Sequence, residues 1–200
     1  MREITMMDAI REALVEELGR DEDVFMVGQD IRGSIFPYTK GLVDEFGEDR
    51  IVDTPLAESG MYGVAMGAAM EGYRPVVDFM FAGFTYVTFS EVSVATGQHY
   101  FLHGSRVPMP VVITGATGTG MRLANDHSMA VHGTLFHQPG WKVAMPSTPY
   151  DAKGLFKTAI RDNNPVFIPW HMGLLAERGD VPDEEYVIPF GVADVKREGS

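Results

Sequence analysis

Apolar positions along this chain follow two periods, and the two alternate. Ile10, Leu14, Val15 and Leu18 recur at helical spacing, which predicts an amphipathic first helix. Thr5-Met6-Met7-Asp8 reads as its capping start and Gly19 as its stop. Val24-Phe25-Met26-Val27, closed by Gly28, is a short unbroken apolar run, the pattern of a strand buried on both faces. A loop from Gly33 to Gly41 and a short helix over Leu42 to Phe46 lead to a second strand, Ile51-Val52-Asp53. The same grammar predicts strands at Arg74 to Met80, Val111 to Thr114, Trp141 to Met145 and Val166 to Ile168. Between them it predicts helices at Ser59 to Met70, Phe84 to about Phe101 and Pro149 to Arg161, the last with Ala152, Leu155, Phe156 and Ile160 turned inward. Strand–helix alternation of this kind predicts an α/β fold, doubly wound, with a mostly parallel sheet and helices on both faces.

Two segments depart from that regularity. The helix over Ser59 to Met70 carries Gly60, Gly63, Ala65, Gly67, Ala68 and Ala69. Glycine costs about 1 kcal/mol relative to alanine inside a helix, so this density predicts close packing against another backbone, across a subunit interface. Beyond Gly173 the chain turns acidic and is punctuated by Pro182 and Pro189. The expected organisation is one α/β domain over residues 1–175 and an acidic linker over 176–200, leading toward a C-terminal domain outside this sequence.

Composition narrows the chemistry. Sixteen Lys and Arg against 28 Asp and Glu give a net charge of −12 with no basic run, which speaks against a phosphate-backbone partner such as nucleic acid. With no cysteine, disulfides, thiolate metal sites and cysteine nucleophiles are excluded. No apolar stretch approaches the ~20 residues of a membrane span, and Met1-Arg2-Glu3-Ile4-Thr5 lacks the apolar core of a secretory signal. A cytoplasmic location without membrane contact is expected.

The individual motifs leave alternatives open. Val111 to Gly120 is a glycine-rich turn after a buried strand, but its spacing is G-x-x-G-x-G rather than the G-x-G-x-x-G of dinucleotide folds. A tight structural or active-site loop is the preferred reading. His127, His132 and His137 are spaced five apart, so they would not share a helix face, and no zinc-binding i, i+4 pair exists. Ser90 stands in no G-x-S-x-G elbow, and there is no P-loop lysine motif. Glu58 lies just past the strand Ile51–Asp53, where open α/β sheets place ligands; a plain helix-dipole carboxylate is the competing reading.

The order of several blocks is more specific than any of them singly. Asp53-Thr54-Pro55-Leu56-Ala57-Glu58-Ser59-Gly60, Gly67-Ala68-Ala69-Met70, Arg74-Pro75-Val76-Val77, Phe81-Ala82-Gly83-Phe84 and His127-Ser128 are followed by Pro139 to Val143, Pro146 to Leu155, Ala159 to Pro165 and Val181 to Gly191. Together they resemble the N-terminal, pyrimidine-binding domain of the beta subunit of thiamine-diphosphate-dependent 2-oxo acid dehydrogenases of the pyruvate, branched-chain or acetoin type. The resemblance covers essentially the whole chain.

It implies a thiamine-diphosphate-binding fold and a set of roles. Glu58 would hydrogen-bond the 1′ nitrogen of the cofactor's aminopyrimidine and favour its imino tautomer, a task that suits a carboxyl shielded from water. Phe81 and Phe84 would line the pyrimidine pocket. His127 would sit near the reacting carbons, donating to the intermediate or to the lipoyl thiol during acyl transfer. Asp162, Asn164 and the carbonyls of Val111 and Ala159 match a structural potassium site of some members. The chain has no Gly-Asp-Gly followed by Asn, so magnesium and the diphosphate would be held by an alpha subunit. A lipoyl-bearing acyltransferase and a homo- or hetero-oligomer complete the implied partners. Gln29, Gly83, Ser90-Glu91 and Pro169-Trp170 depart from residues common in the family. Two rival readings share the fold: a split transketolase-like subunit acting on a sugar phosphate, and a non-catalytic assembly module.

Overall fold

The computed structural model describes residues 1–119, 122–195 and 197–199. Its strands and helices, in chain order, are β1 (Arg2–Thr5), α1 (Met6–Arg20), β2 (Val24–Gly28), α2 (Leu42–Phe46), β3 (Ile51–Asp53), α3 (Glu58–Met70), β4 (Arg74–Phe81), α4 (His99–Leu102), β5 (Val112–Thr117), α5 (His132–Phe136), β6 (Lys142–Val143), α6 (Pro149–Arg161), β7 (Val166–Phe167), β8 (Trp170–His171) and β9 (Arg178–Val181). Among the described residues, seven strands form one parallel sheet in the order β3-β2-β4-β5-β7-β6, with β8 alongside β5.

Successive strand residues point to opposite faces, and each face has its own core. Met26, Val76, Val112 and Val166 pack with Ile10 and Leu14 of α1 and Phe156 and Ile160 of α6. Their neighbours Val27, Val77, Ile113 and Phe167 pack with Met61, Tyr62 and Ala65 of α3 and with Trp141. Unbroken apolar strand sequences are therefore required, as predicted for a sheet covered on both sides. Thr5 and Asp8 close the predicted capping box on α1.

Three features differ from the sequence expectations. First, a strand precedes α1: β1 pairs antiparallel with β9, Arg2 opposite Val181 and Thr5 opposite Arg178. The packed body thus runs past residue 175, into the stretch assigned to a linker. Both strands are short, polar and half solvated, so neither shows an apolar run. Second, the helix expected from Phe84 to Phe101 is broken into a 3-10 segment (Ala82–Thr88), a π-helical turn (Glu91–Thr96) and α4. Thr85, Val87, Thr88, Val92, Val94 and Thr96 are β-branched and poor at sustaining an α-helix, and Trp141 Nε1 donates to the Val92 carbonyl oxygen at 2.9 Å. Third, β5 continues through Thr117 into the glycine-rich loop; Gly120 of that motif lies outside the described residues.

Charged residues also hold α1 to α6. The Lys153 ammonium reaches Glu12 and Glu16, Lys157 reaches Glu16, and Arg161 makes a bidentate pair with the buried Glu17 carboxylate. Both lysines are at most 2% exposed, which is tolerable only because each ammonium is paired. Among the described residues, no helix is long and apolar enough to cross a membrane.

Candidate active site

The sheet reverses its order beside β2, which has β3 on one side and β4 on the other. Ligands of open α/β sheets bind at the carboxyl ends of the strands beside such a reversal. Gly28 ends β2 there, and a side chain at this position would meet the Asp78 carbonyl oxygen at 2.9 Å and Ile31 at 2.8 Å. Glycine alone permits the close approach of β2 to β4. Asp53, ending β3, accepts from the Ile31 amide at 2.8 Å, and the Thr54 amide donates to the Gly28 carbonyl at 2.9 Å. The two strand ends are thereby fixed to one another.

Glu58 opens α3 immediately beyond. It is half-buried and, among the described residues, has neither a hydrogen bond nor an ion pair. An open, mostly apolar cavity of about 330 Å³, lined by Val27, Val52, Thr54, Ala57, Gly60 and Val64, lies along the same helix. Ser59 Oγ donates to the Val87 carbonyl at 3.2 Å, which ties the start of α3 to the 3-10 segment that follows β4.

That segment carries the aromatic wall. The rings of Phe81 and Phe84 meet edge-on at 5.9 Å, and the His127 imidazole contacts both edge-on, at 4.4 Å and 5.4 Å. The His127 loop is seated by specific contacts. Thr117 Oγ1 donates to the Met129 carbonyl at 2.8 Å and Ser128 Oγ to that of Ala124 at 2.8 Å. A Cβ on Gly83 would lie 2.9 Å from Met129 Sδ and 3.0 Å from the Asp126 carbonyl oxygen, so the loop rests directly on this glycine. That accounts for a residue without a side chain at position 83. His127 Nδ1 lies 3.2 Å from Asp126 Oδ1, but without hydrogen-bond geometry.

Sequence reasoning missed three residues at this edge. Asp78, only 3% exposed, accepts from Tyr38 Oη at 2.5 Å and from the Met80 amide at 2.7 Å. Burial pushes its carboxyl up to about 6, against the downward pull of those hydrogen bonds. Burial and the adjacent carboxylate push the Tyr38 hydroxyl well above its ordinary range, so the proton stays on the tyrosine. A charged residue inside Arg74-Pro75-Val76-Val77-Asp78-Phe79 was the available signal. The third is His171, which ends β8; its Nδ1 accepts from the Gly173 amide at 3.1 Å, and its ring faces Gly118 (φ +84°).

The Asp78 carboxyl gives a pH prediction. Its folded value lies above the ordinary 3.8, so its contribution is fully present below pH 3.8 and is lost as pH rises through about 6. The stability of the wild type relative to Asp78→Asn should fall by up to about 3 kcal/mol between pH 4 and 6 and then level off. Chemical denaturation of both proteins across that range measures the difference.

Of the potassium ligands the resemblance implies, Asp162 and Asn164 meet in a hydrogen-bonded knot with Lys142. Asp162 Oδ2 accepts from Lys142 Nζ at 2.5 Å, and its Oδ1 accepts from the Asn164 amide and Nδ2, both at 2.9 Å. The Val111 and Ala159 carbonyls accept from the amides of Val166 (2.9 Å) and Asp162 (3.3 Å). Burial raises the Asp162 carboxyl, and the Lys142 and Asn164 bonds more than offset this, holding it below its usual range. The Lys142 ammonium already neutralises the Asp162 carboxylate.

The edge does fit an aminopyrimidine ring. Thr54 Oγ1, Thr85 Oγ1 and His127 Nδ1 are buried without hydrogen bonds among the described residues. Buried polar atoms of this kind call for a partner. A carboxylate without a partner and a pair of phenylalanine rings are the kinds of group that suit a flat heterocycle with hydrogen-bonding nitrogens.

Fold and geometry thus define a doubly wound α/β domain with a candidate site at its switch-point edge. The family profile described as "Transketolase, pyrimidine binding domain" matches residues 2–177, and the chain belongs to that family. Among curated proteins, it is 47% identical over 203 residues to the pyruvate dehydrogenase E1 component subunit beta of Bacillus subtilis strain 168. It is 46% identical to the protein of the same name from Staphylococcus epidermidis, and 45% to that of Staphylococcus aureus strain COL. Each alignment covers 100% of this chain and 62% of the relative, so the chain spans less than two thirds of those proteins. A solved structure, a split-gene transketolase in an inactive beta4 tetramer, superposes with a TM-score of 0.67 at 19% identity, over 84% of this chain and 51% of that one. At that identity the likeness speaks for the fold.

Proposed function

We propose that this chain is the pyrimidine-binding, beta-type part of a thiamine-diphosphate-dependent 2-oxo acid dehydrogenase, active together with an alpha-type partner. Two observations support the reading: the Glu58 carboxyl at the start of α3 has no partner among the described residues, and Phe81, Phe84 and His127 cluster on the segment to which Ser59 ties that helix start. The bound cofactor supplies the electron sink for loss of carbon dioxide from the 2-oxo acid. Glu58 holds and shares a proton at the ring nitrogen. Phe81 and Phe84 hold the ring flat and exclude water. His127 presents an imidazole nitrogen to the substrate side and to the thiol of a lipoyl-bearing acyltransferase. The partner supplies the magnesium–diphosphate side, for which this chain has no ligand motif. Potassium stays outside the proposal, since Lys142 already supplies the charge at Asp162.

The surface around Glu58 supports a shared site. Leu56 before α3, Val64 and Met70 on α3, and Val87 and Val94 after β4 are exposed, as are Gly60 and Gly67 of α3. Exposed apolar side chains in such number on and beside one helix are what a protein interface would cover. Val64, 62% exposed, makes no use of its apolar side chain in the chain alone. Val64→Glu should leave thermal stability within about 0.5 kcal/mol while shifting the chain from assembled to smaller species in light scattering.

The reading is tested by co-expressing the chain with an alpha-type partner and screening pyruvate, acetoin and branched-chain 2-oxo acids. Cofactor-dependent turnover of a 2-oxo acid is expected. Turnover of sugar phosphates alone would replace it with the split-transketolase reading.

A further inference from the structure

Strict alternation along β4 would place Phe81 on the face of Val77 and Phe79. Those two residues do lie in the α3-side core, but Phe81 lies in the opposite one, beside Phe36 at 5.7 Å. The face changes at Met80, whose φ of +62° is left-handed, and the β4–β5 register shifts between Asp78 and Phe81. A left-handed conformation costs a non-glycine residue about 1–2 kcal/mol, so something local must hold it. The Met80 amide donates to Asp78 Oδ1 at 2.7 Å, closing a turn of the kind that aspartate side chains stabilise two residues on. Tyr38 Oη fixes the other carboxylate oxygen, and Tyr38 itself is wholly buried between Phe36 and Trp170. The carboxylate therefore cannot swing away from Met80.

We propose that Asp78, locked by Tyr38, is a positioning residue for the pyrimidine pocket: it holds the left-handed turn that carries Phe81 across the sheet and against His127. This rests on the function proposed above and names a residue that reaches the site only through its neighbours. The device predicts its own rescue. If Asp78 acts by holding the turn at Met80, glycine at 80, which adopts that conformation freely, should make the carboxylate dispensable.

Two readouts test it. In the chain itself, the His127 Cε1 proton should carry a ring-current shift from Phe81 in NMR, assigned with His127→Gln. Asp78→Ala should remove that shift, and Asp78→Ala with Met80→Gly should restore it. In the complex with the alpha-type partner, Asp78→Ala should raise the Kd for thiamine diphosphate with magnesium about tenfold, from the cost of the unsupported turn. Met80→Gly should recover most of that affinity. Should Asp78→Ala not fold, Asp78→Asn carries the same test with a smaller loss and the same recovery. An unchanged His127 shift in the Asp78 variants, or a loss that Met80→Gly does not recover, would overturn the proposal. A wild-type complex that binds no cofactor while the shift behaves as described would instead count against the proposed function and leave the positioning device standing.

Discussion

Glu58→Gln should reduce decarboxylation by the assembled protein about 10³-fold, within the range typical of a lost proton-transferring group. That corresponds to about 4 kcal/mol of transition-state stabilisation. Glutamine keeps the length and planarity of the side chain and still hydrogen-bonds a ring nitrogen, so cofactor affinity should change only a few-fold. What it loses is the ability to share a proton. Glu58 is suited to be that group because it has no other partner: among the described residues, no ammonium, guanidinium or amide engages it. The carboxylates of Glu12, Glu16, Glu17 and Asp162 are by contrast committed to Lys153, Lys157, Arg161 and Lys142. The pattern expected in steady-state kinetics is a fall in kcat with little change in the cofactor concentration that gives half activation. Wild-type turnover in this variant would remove Glu58 from the mechanism.

The largest expected stability effect lies elsewhere. Gly140 has φ +89°, and a methyl group there would run into the Gly97 carbonyl oxygen. A Cβ on Gly97 would in turn lie 2.9 Å from the Pro139 carbonyl oxygen and 3.0 Å from the Trp141 ring. The turn before β6 is therefore packed backbone to backbone against the end of the π-helical segment, and neither side can yield alone. Gly140→Ala combines left-handed strain with overpacking and should cost about 3 kcal/mol or more. For a chain of this size, that lowers the thermal midpoint by roughly 6–12 °C. Scanning calorimetry against Gly133→Ala, where a Cβ meets nothing within 4 Å, separates this contact from a general sensitivity to losing glycine.

The sequence was readable where one physical signal dominated. Val24–Val27 and Val111–Ile113 are apolar without interruption because both sheet faces are covered, and Thr5 with Asp8 three residues on spells a capping box. The ribbon of β1 and β9 was hidden because most of its residues are polar and partly solvated, and its pairing spans almost the whole chain. The helix after Phe84 was misread because its apolar spacing is helical while its β-branched residues and the Trp141 bond to Val92 favour a different winding. Nothing in the spacing of α6 marks Lys153 and Lys157 as buried; only the packing of α6 on α1 reveals that Glu12 and Glu16 await them. At the candidate site, Glu58, Phe81, Phe84 and His127 were singled out through the ordered blocks, and the contact of Phe81 and Phe84 with His127 is a product of topology. Asp78 was not legible as a site residue, because its effect on Phe81 passes through one backbone turn.

The central claim is that Glu58 faces a cofactor held jointly by this chain and another. Calorimetric titration of thiamine diphosphate with magnesium into the chain alone, and then into its mixture with the alpha-type partner, tests this most directly. The account predicts no saturable binding by the chain alone and one cofactor per pair in the mixture. Tight, saturable binding by the chain alone would contradict it.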